Sequence, residues 1–248
     1  MALYDNEGFF GNYAQMARSR GGLEAAGEWP QFSALLPQDM SGLDVLDLGC
    51  GYGWHCRYAA QRGARSVLGI DPSARMLARA AELGGEGVEY RLCGVEEFAW
   101  PAARFDLVIS NLALHYVEDL DAVFRGVYRA LRPGGVFALN IEHPSFTAGV
   151  HEDWYRDAQG NILHWPLDGY FIPGARSTLF AGCEVTKYHH TLAQILGGLL
   201  AAGFALAAVD EARPGEELLR QSPEMRDELR RPMMLLVRAE KRKDGQKA

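Results

Sequence analysis

The sequence predicts a doubly wound α/β fold on a mostly parallel seven-stranded sheet, with an aromatic-rich insertion after the fifth strand. Three observations predict it. From residue 43 to about 140, short β-branched apolar runs alternate with longer stretches of helical period, the pattern of successive βαβ units. A run of alternating glycines, "DLGCGYG" at 47–53, follows the first apolar run, where open α/β sheets turn from strand to helix. Two further strand-like runs close the chain after a long break in the rhythm.

The elements follow in order. Residues 1–42, including "FFGNYAQMARSRGGLEAAGEWPQF", are too aromatic for a disordered tail and read as a helical cap segment. Strands are expected at "LDVLDL" (43–48), "SVLGID" (66–71), "VEYRLC" (88–93), "FDLVIS" (105–110) and "GVFALNIE" (135–142). Gly63 ends the first core helix, Pro72-Ser73 opens the second, and "RPGG" at 132–135 closes the helix that starts near Leu120.

Residues 143–190 break the pattern. They carry turn signals, yet hold five of the seven histidines and the aromatics Trp154, Tyr155, Trp165, Tyr170 and Phe171, so they read as a packed insertion or lid. Those aromatics wall a pocket for a planar or apolar ligand, or form a private mini-core. In "TLAQILGGLLAAGF", Leu192, Ile195, Leu196, Leu199 and Leu200 form one helical stripe, followed by strands at "ALAAVD" and "RPMMLLVRAE" within 191–240. The basic tail, 241–248, reads as solvated and frayed.

Charge and cysteine usage narrow the function. A net charge of −7 opposes binding to nucleic acid. Cys50, Cys56, Cys93 and Cys183 form no CxxC pair, which points to a reduced interior. No leader pattern opens the chain and no window reaches 18 uninterrupted apolar residues, so a cytoplasmic protein without a membrane partner is expected.

The glycine turn excludes two ligand chemistries. In G-x-G-x-x-G the third glycine falls on Trp54 or on Cys56, depending on register, so the dinucleotide fingerprint fails. No Lys-Ser/Thr follows, so a phosphate-binding loop fails too. What remains is Asp47-x-Gly49-x-Gly51-x-Gly53, with Asp71 at the end of the second strand. A carboxylate there accepts from ribose hydroxyls, or caps the helix of "PSARML", or both.

With these residues the chain resembles the class I S-adenosylmethionine-dependent methyltransferases, in a bacterial small-molecule subgroup. "VLDLGCGYG", "VLGIDPSARML", "FDLVISNLALHYVED" and "VYRALRPGGVFAL" look like that family's motifs in order. The resemblance implies a Rossmann-like core over 43–142 that binds S-adenosylmethionine. It implies that Gly49, Gly51 and Gly53 lie against the methionine moiety with Asp47 near its ammonium, that Asp71 holds the ribose, and that Met76 packs on the adenine. Val95 and Glu96 are the candidates for the adenine amine, because Gly94 stands where relatives often carry Asp. Asn111 joins the cofactor set, and Tyr13 and Arg18 close over it.

The reaction implied is in-line transfer of a methyl group to N or O of a small-molecule acceptor. A binding protein without catalysis, or a protein or RNA methyltransferase, is the alternative. The stretch "SNLALHYV" lacks the Asn/Asp-Pro-Pro-aromatic run of the nucleic-acid amino-methyltransferases. His115 and His143, just beyond the fourth and fifth strands, are candidate bases, or a buried core histidine and a structural exit from the sheet. In "KYHHT", Tyr188 and His189 are candidates too, against a plain helix entry capped by Thr191. The histidines show no metal-ligand spacing, and no metal is expected.

Overall fold

The N-terminal segment folds as three short helices, α1 (Glu7–Tyr13), α2 (Ala17–Gly21) and α3 (Trp29–Ser33), in a computed structural model that describes residues 3–243 and Gly245. Its apolar residues are used inward: Phe9 and Phe32 are fully buried and Trp29 nearly so. The core then alternates β1 (Asp44–Leu48), α4 (Trp54–Gln61), β2 (Ser66–Asp71), α5 (Ala74–Glu82), β3 (Val88–Leu92) and β4 (Phe105–Asn111). After a single 3₁₀ turn (Leu114–Tyr116) come α6 (Leu120–Ala130) and β5 (Leu131–Glu142).

The insertion contributes α7 (Pro144–Thr147), β6 (Tyr155–Arg156), β7 (Ile162–His164), β8 (Gly174–Phe180) and β9 (Cys183–His189). The chain finishes with α8 (Leu192–Ala201), β10 (Ala205–Ala212), α9 (Glu216–Gln221) and β11 (Met234–Glu240). The main sheet runs β10-β11-β5-β4-β1-β2-β3, with β1 to β5 parallel and β11 antiparallel to both its neighbours. This is the seven-stranded doubly wound sheet that the sequence predicts.

Burial on both faces explains the apolar strands. Every residue of β1 is buried, with Leu46 and Leu48 in the apolar cluster on one face and Val45 in that on the other. Two local expectations need correction. "RPGG" does follow the end of α6 at Ala130, but β5 starts ahead of residue 135: Leu131 already pairs with Phe105, so the run lies inside the strand. Leu200 leaves the apolar stripe of α8: it is half exposed while Ile195 and Leu199 are buried.

The insertion is packed around Trp154 and Trp165, whereas Tyr155 and Phe171, expected in the same mini-core or pocket wall, are exposed. The Arg231 guanidinium sits 4.4 Å from the Trp165 ring and about equally far from Phe146 and Trp154, at 4.9 and 5.1 Å. Trp165 also donates from its indole N–H to the Ser145 carbonyl (2.9 Å). These contacts make a private mini-core that ties 143–165 to the stretch before β11. Of the expected tail, Lys241 is held by the Tyr128 and Leu131 carbonyls (both 2.8 Å). Lys247 lies outside the described residues.

Candidate functional site

At the carboxyl ends of β1, β2, β4 and β5 lies a cavity of about 860 Å³, roofed by the N-terminal segment and by the β8–β9 hairpin. Its floor is the glycine turn. The N–H groups of Gly49 and Cys50 both donate to the Ile70 carbonyl (2.9 and 3.0 Å), which fastens the turn to the end of β2. Gly51 then donates to Asp71 Oδ2 at 2.9 Å.

The three glycines have different reasons. All have positive φ, but a Cβ on Gly49 would meet the Cβ of Ala113 at 2.3 Å, and one on Gly53 would meet the Tyr90 hydroxyl at 2.2 Å. Gly51, at φ 51°, faces open space. The protein's own packing therefore demands Gly49 and Gly53; Gly49 and Gly51 line the cavity, whereas Gly53, expected beside them, does not, and only Gly51 has open space in front of its backbone.

Asp71 lines the cavity with both carboxylate oxygens anchored, Oδ2 by Gly51 and Oδ1 by the Ser73 N–H (2.9 Å). Ser73, not Asp71, caps α5, accepting from the Met76 N–H at 3.2 Å. Burial pushes Asp71 up to about 6, and the two N–H donors work against that shift. Asp47 departs from expectation. It does not line the cavity; its carboxylate is turned beneath the turn, accepts from Cys56 Sγ (3.2 Å) and is pushed up to about 7 by burial.

The remaining predicted ligand-side residues do converge. Tyr13, Arg18, Met76, Val95, Glu96 and Asn111 all line the cavity. Arg18 is gripped by both oxygens of the buried Glu28 (2.7 and 2.8 Å). Asn111 accepts from Asn140 at 2.8 Å. Tyr13 meets Tyr4 and Tyr52 edge-on, and the hydroxyls of Tyr4 and Tyr116 lie 3.3 Å apart, so an aromatic seam joins roof to wall.

Of the four proton-handling candidates, one stands at the cavity. His115 lines it, is 3% exposed, and is pushed down to about 3 by burial and the nearby Lys187 charge. His143 instead caps α7, accepting from the Ser145 N–H (3.0 Å), and its other ring nitrogen is 3.0 Å from Glu211. His189 spends both ring nitrogens, on the Thr147 hydroxyl (2.7 Å) and the Tyr170 carbonyl (2.9 Å). Neither histidine lines the cavity, nor does Tyr188. Thr191 caps α8 in a full capping box with Gln194, which accounts for the "KYHHT" ending. Trp154, Tyr155, Trp165, Tyr170 and Phe171 are likewise absent from the lining; Phe180 is the insertion aromatic that reaches it.

Sequence reasoning missed Glu142, Lys187, Glu152 and Glu28. Lys187 Nζ is buried between Glu142 (2.7 Å) and Glu152 (2.9 Å), and His115 Nε2 is 3.8 Å from Glu142. Strand alternation held the missing signal: consecutive residues at the end of β5 point opposite ways, so Glu142 and His143 cannot both face the cavity. Among the described residues, no group of three or more His, Cys, Asp and Glu is placed to hold a metal.

A family model described as a methyltransferase domain matches residues 46–139. The chain is 46% identical to a Listeria monocytogenes protein assigned to the S-adenosylmethionine-dependent methyltransferases, whose crystal structure superposes with a TM-score of 0.84 over 90% of this chain and 100% of that one. It is 43% identical to an S-adenosylmethionine-dependent methyltransferase from Mesorhizobium loti, with a TM-score of 0.82 over 88% of this chain and 100% of that one. The malonyl-[acyl-carrier protein] O-methyltransferase of Pectobacterium atrosepticum is 31% identical over 187 residues, 73% of this chain and 65% of that protein.

Proposed function

The chain belongs to the S-adenosylmethionine-dependent methyltransferases, and on that premise we propose how this site works as an enzyme methylating N or O of a small-molecule acceptor. One observation carries the assignment of the cofactor's place: the bare Gly51 backbone joined to the Asp71 carboxylate on the cavity floor.

The lining fits the cofactor. Among the described lining residues Arg18 is the single Lys or Arg, already held by Glu28, whereas Asp71, Glu96, Glu97, Glu142 and Glu184 are carboxylates. Such a cavity attracts a sulfonium cation. When bound, S-adenosylmethionine supplies an electrophilic methyl whose sulfur loses its positive charge as the group transfers.

Asp71, fixed by two backbone donors, turns its remaining lone pairs to the ribose hydroxyls. Met76 packs against the adenine, while Val95 and Glu96 receive its polar edge and Asn111 supports the wall between cofactor and acceptor. Tyr13 and Arg18 close the roof and exclude water, so that positioning supplies most of the acceleration. His115 is a polar group at the acceptor end; held neutral by burial, it orients the acceptor through a hydrogen bond rather than taking up its proton. Residues 143–190 form the substrate-side wall through β8 and β9.

We infer a cytoplasmic enzyme whose partner is a small molecule and not nucleic acid. Four free cysteines and a net charge of −7 support this reading, and among the described residues no helix is long and apolar enough to cross a membrane. The test is calorimetry with S-adenosylmethionine and S-adenosylhomocysteine, followed by release of S-adenosylhomocysteine against small amines, phenols and carboxylates. Binding with acceptor-dependent release is expected; absence of cofactor binding would remove the reading.

A further inference from the structure

Resting on the methyltransferase reading above, we propose that the methyl acceptor is an amine, bound at the acceptor end of the cavity by Glu142 and His115. The local charge requires a cation or a donor there. Among the described residues Lys187 is the one cation paired with Glu142 and Glu152, so the buried triad is left one negative charge in excess when both carboxylates are ionised. Lys187 itself does not line the cavity, but Glu142 does.

Three buried polar atoms of this cluster have no hydrogen-bond partner among the described residues, Glu142 Oε2, His115 Nδ1 and Glu152 Oε1, and the first two belong to residues that line the cavity. The Glu142 carboxylate, 3.8 Å from His115 Nε2, favours the tautomer with its proton on Nε2, which leaves a lone pair on Nδ1. Both vacancies therefore ask for a donor. An ammonium brings three N–H donors, a phenol or alcohol one, and a carboxylate none. A carboxylate acceptor would also meet Glu142 and Glu184, while Arg18, the single Lys or Arg among the described lining residues, is already held by Glu28.

The walls agree. Tyr116, Phe180, Val185, Met233 and Met234 line the cavity and suit the hydrocarbon body of an amine, and an aromatic face attracts an ammonium. In the step that follows, the ammonium gives a proton to Glu142 and becomes a neutral amine. Its lone pair forms the N–C bond as the methyl's bond to sulfur breaks, and that electron pair stays on sulfur. The N-methylated ammonium leaves, and Glu142 returns its proton to solvent.

The experiment uses the full chain with saturating S-adenosylmethionine and reads S-adenosylhomocysteine release with matched acceptors: benzylamine, benzyl alcohol and benzoate; phenethylamine, 2-phenylethanol and phenylacetate; and p-cresol. Amines are expected to turn over at least tenfold faster than their oxygen counterparts. Glu142→Gln and His115→Gln are expected to lower kcat/KM for the amines at least tenfold while cofactor affinity shifts less than threefold. Faster release with alcohols, phenols or carboxylates would overturn the proposal, as would full amine turnover in Glu142→Gln. Cofactor binding without release by any amine would overturn it alone, and failure to bind the cofactor would sink the methyltransferase reading with it. The wild-type preference decides the matter even if a variant fails to fold.

Discussion

Asp71 Oδ2 accepts the Gly51 N–H at 2.9 Å, which locks the end of β2 to the glycine turn after β1 and makes one floor from two strand tips. The bond joins two groups that line the cavity, the Gly51 backbone and the Asp71 carboxylate.

From this bond, Asp71→Ala is expected to weaken S-adenosylmethionine binding about a hundredfold, since charge-assisted hydrogen bonds contribute about 1.5–3 kcal/mol each. The role proposed for Asp71 needs its ionised carboxylate, whose pKa burial raises to about 6. Affinity should therefore hold steady above that pH and fall up to about tenfold per unit below it. Calorimetry between pH 8 and pH 5 checks both statements.

The glycines separate by readout. Gly49→Ala drives a methyl onto Ala113 at 2.3 Å and is expected to cost folding stability by about 2–3 kcal/mol, seen as a lowered Tm. Gly51→Ala meets no atom within 4 Å, so its folding penalty is the positive φ alone, about 1 kcal/mol. Its main effect falls on cofactor affinity. Equal losses of affinity in the two variants would contradict this division.

His115 and His143 should behave oppositely. His143→Ala removes a helix cap outside the cavity, so a stability loss of about 0.5–2 kcal/mol with unchanged turnover is expected. His115→Ala should lower turnover about a hundredfold with little change in cofactor affinity. Because burial holds His115 near 3, its titration contributes no inflection to a rate profile above pH 5.

Asp47 predicts an unusual pH dependence. Its folded pKa, about 7, lies above the ordinary carboxyl value of 3.8, so the folded state binds the proton more tightly than the unfolded chain. The resulting stability is full below about pH 4 and is lost up to about pH 7, at most about 1.4 kcal/mol per unit. Above pH 7 this contribution is flat. Asp47→Asn should shrink that slope and exceed the wild type in stability at pH 8, measured by urea unfolding across the range. An identical slope in the variant would show that Asp47 does not bind the proton.

The parallel sheet, the glycine turn and the Asp71 tip were legible in the sequence because each is local: apolar runs, a turn motif and a strand end all lie within a few residues. Met76 and Asn111 were legible within motifs and Tyr13, Arg18, Val95 and Glu96 through what the family resemblance implies, and the fold brings all six into one cavity. The insertion was legible as aromatic-rich but not in how it packs, since Trp154 and Trp165 close on Arg231, a residue far along the chain, while Tyr155 and Phe171 stay exposed.

The sequence by itself determined the fold class, the chemistry of the cofactor and the loop that meets it. Tertiary structure decided which side chains line the cavity. It turned Asp47 under the floor, spent His143 and His189 on packing, and brought Glu142, Lys187 and Glu152 together from β5, β9 and the insertion. The reason is geometric: a side chain's direction depends on strand register and on partners distant in sequence, and a buried lysine between two carboxylates leaves no periodic trace along the chain.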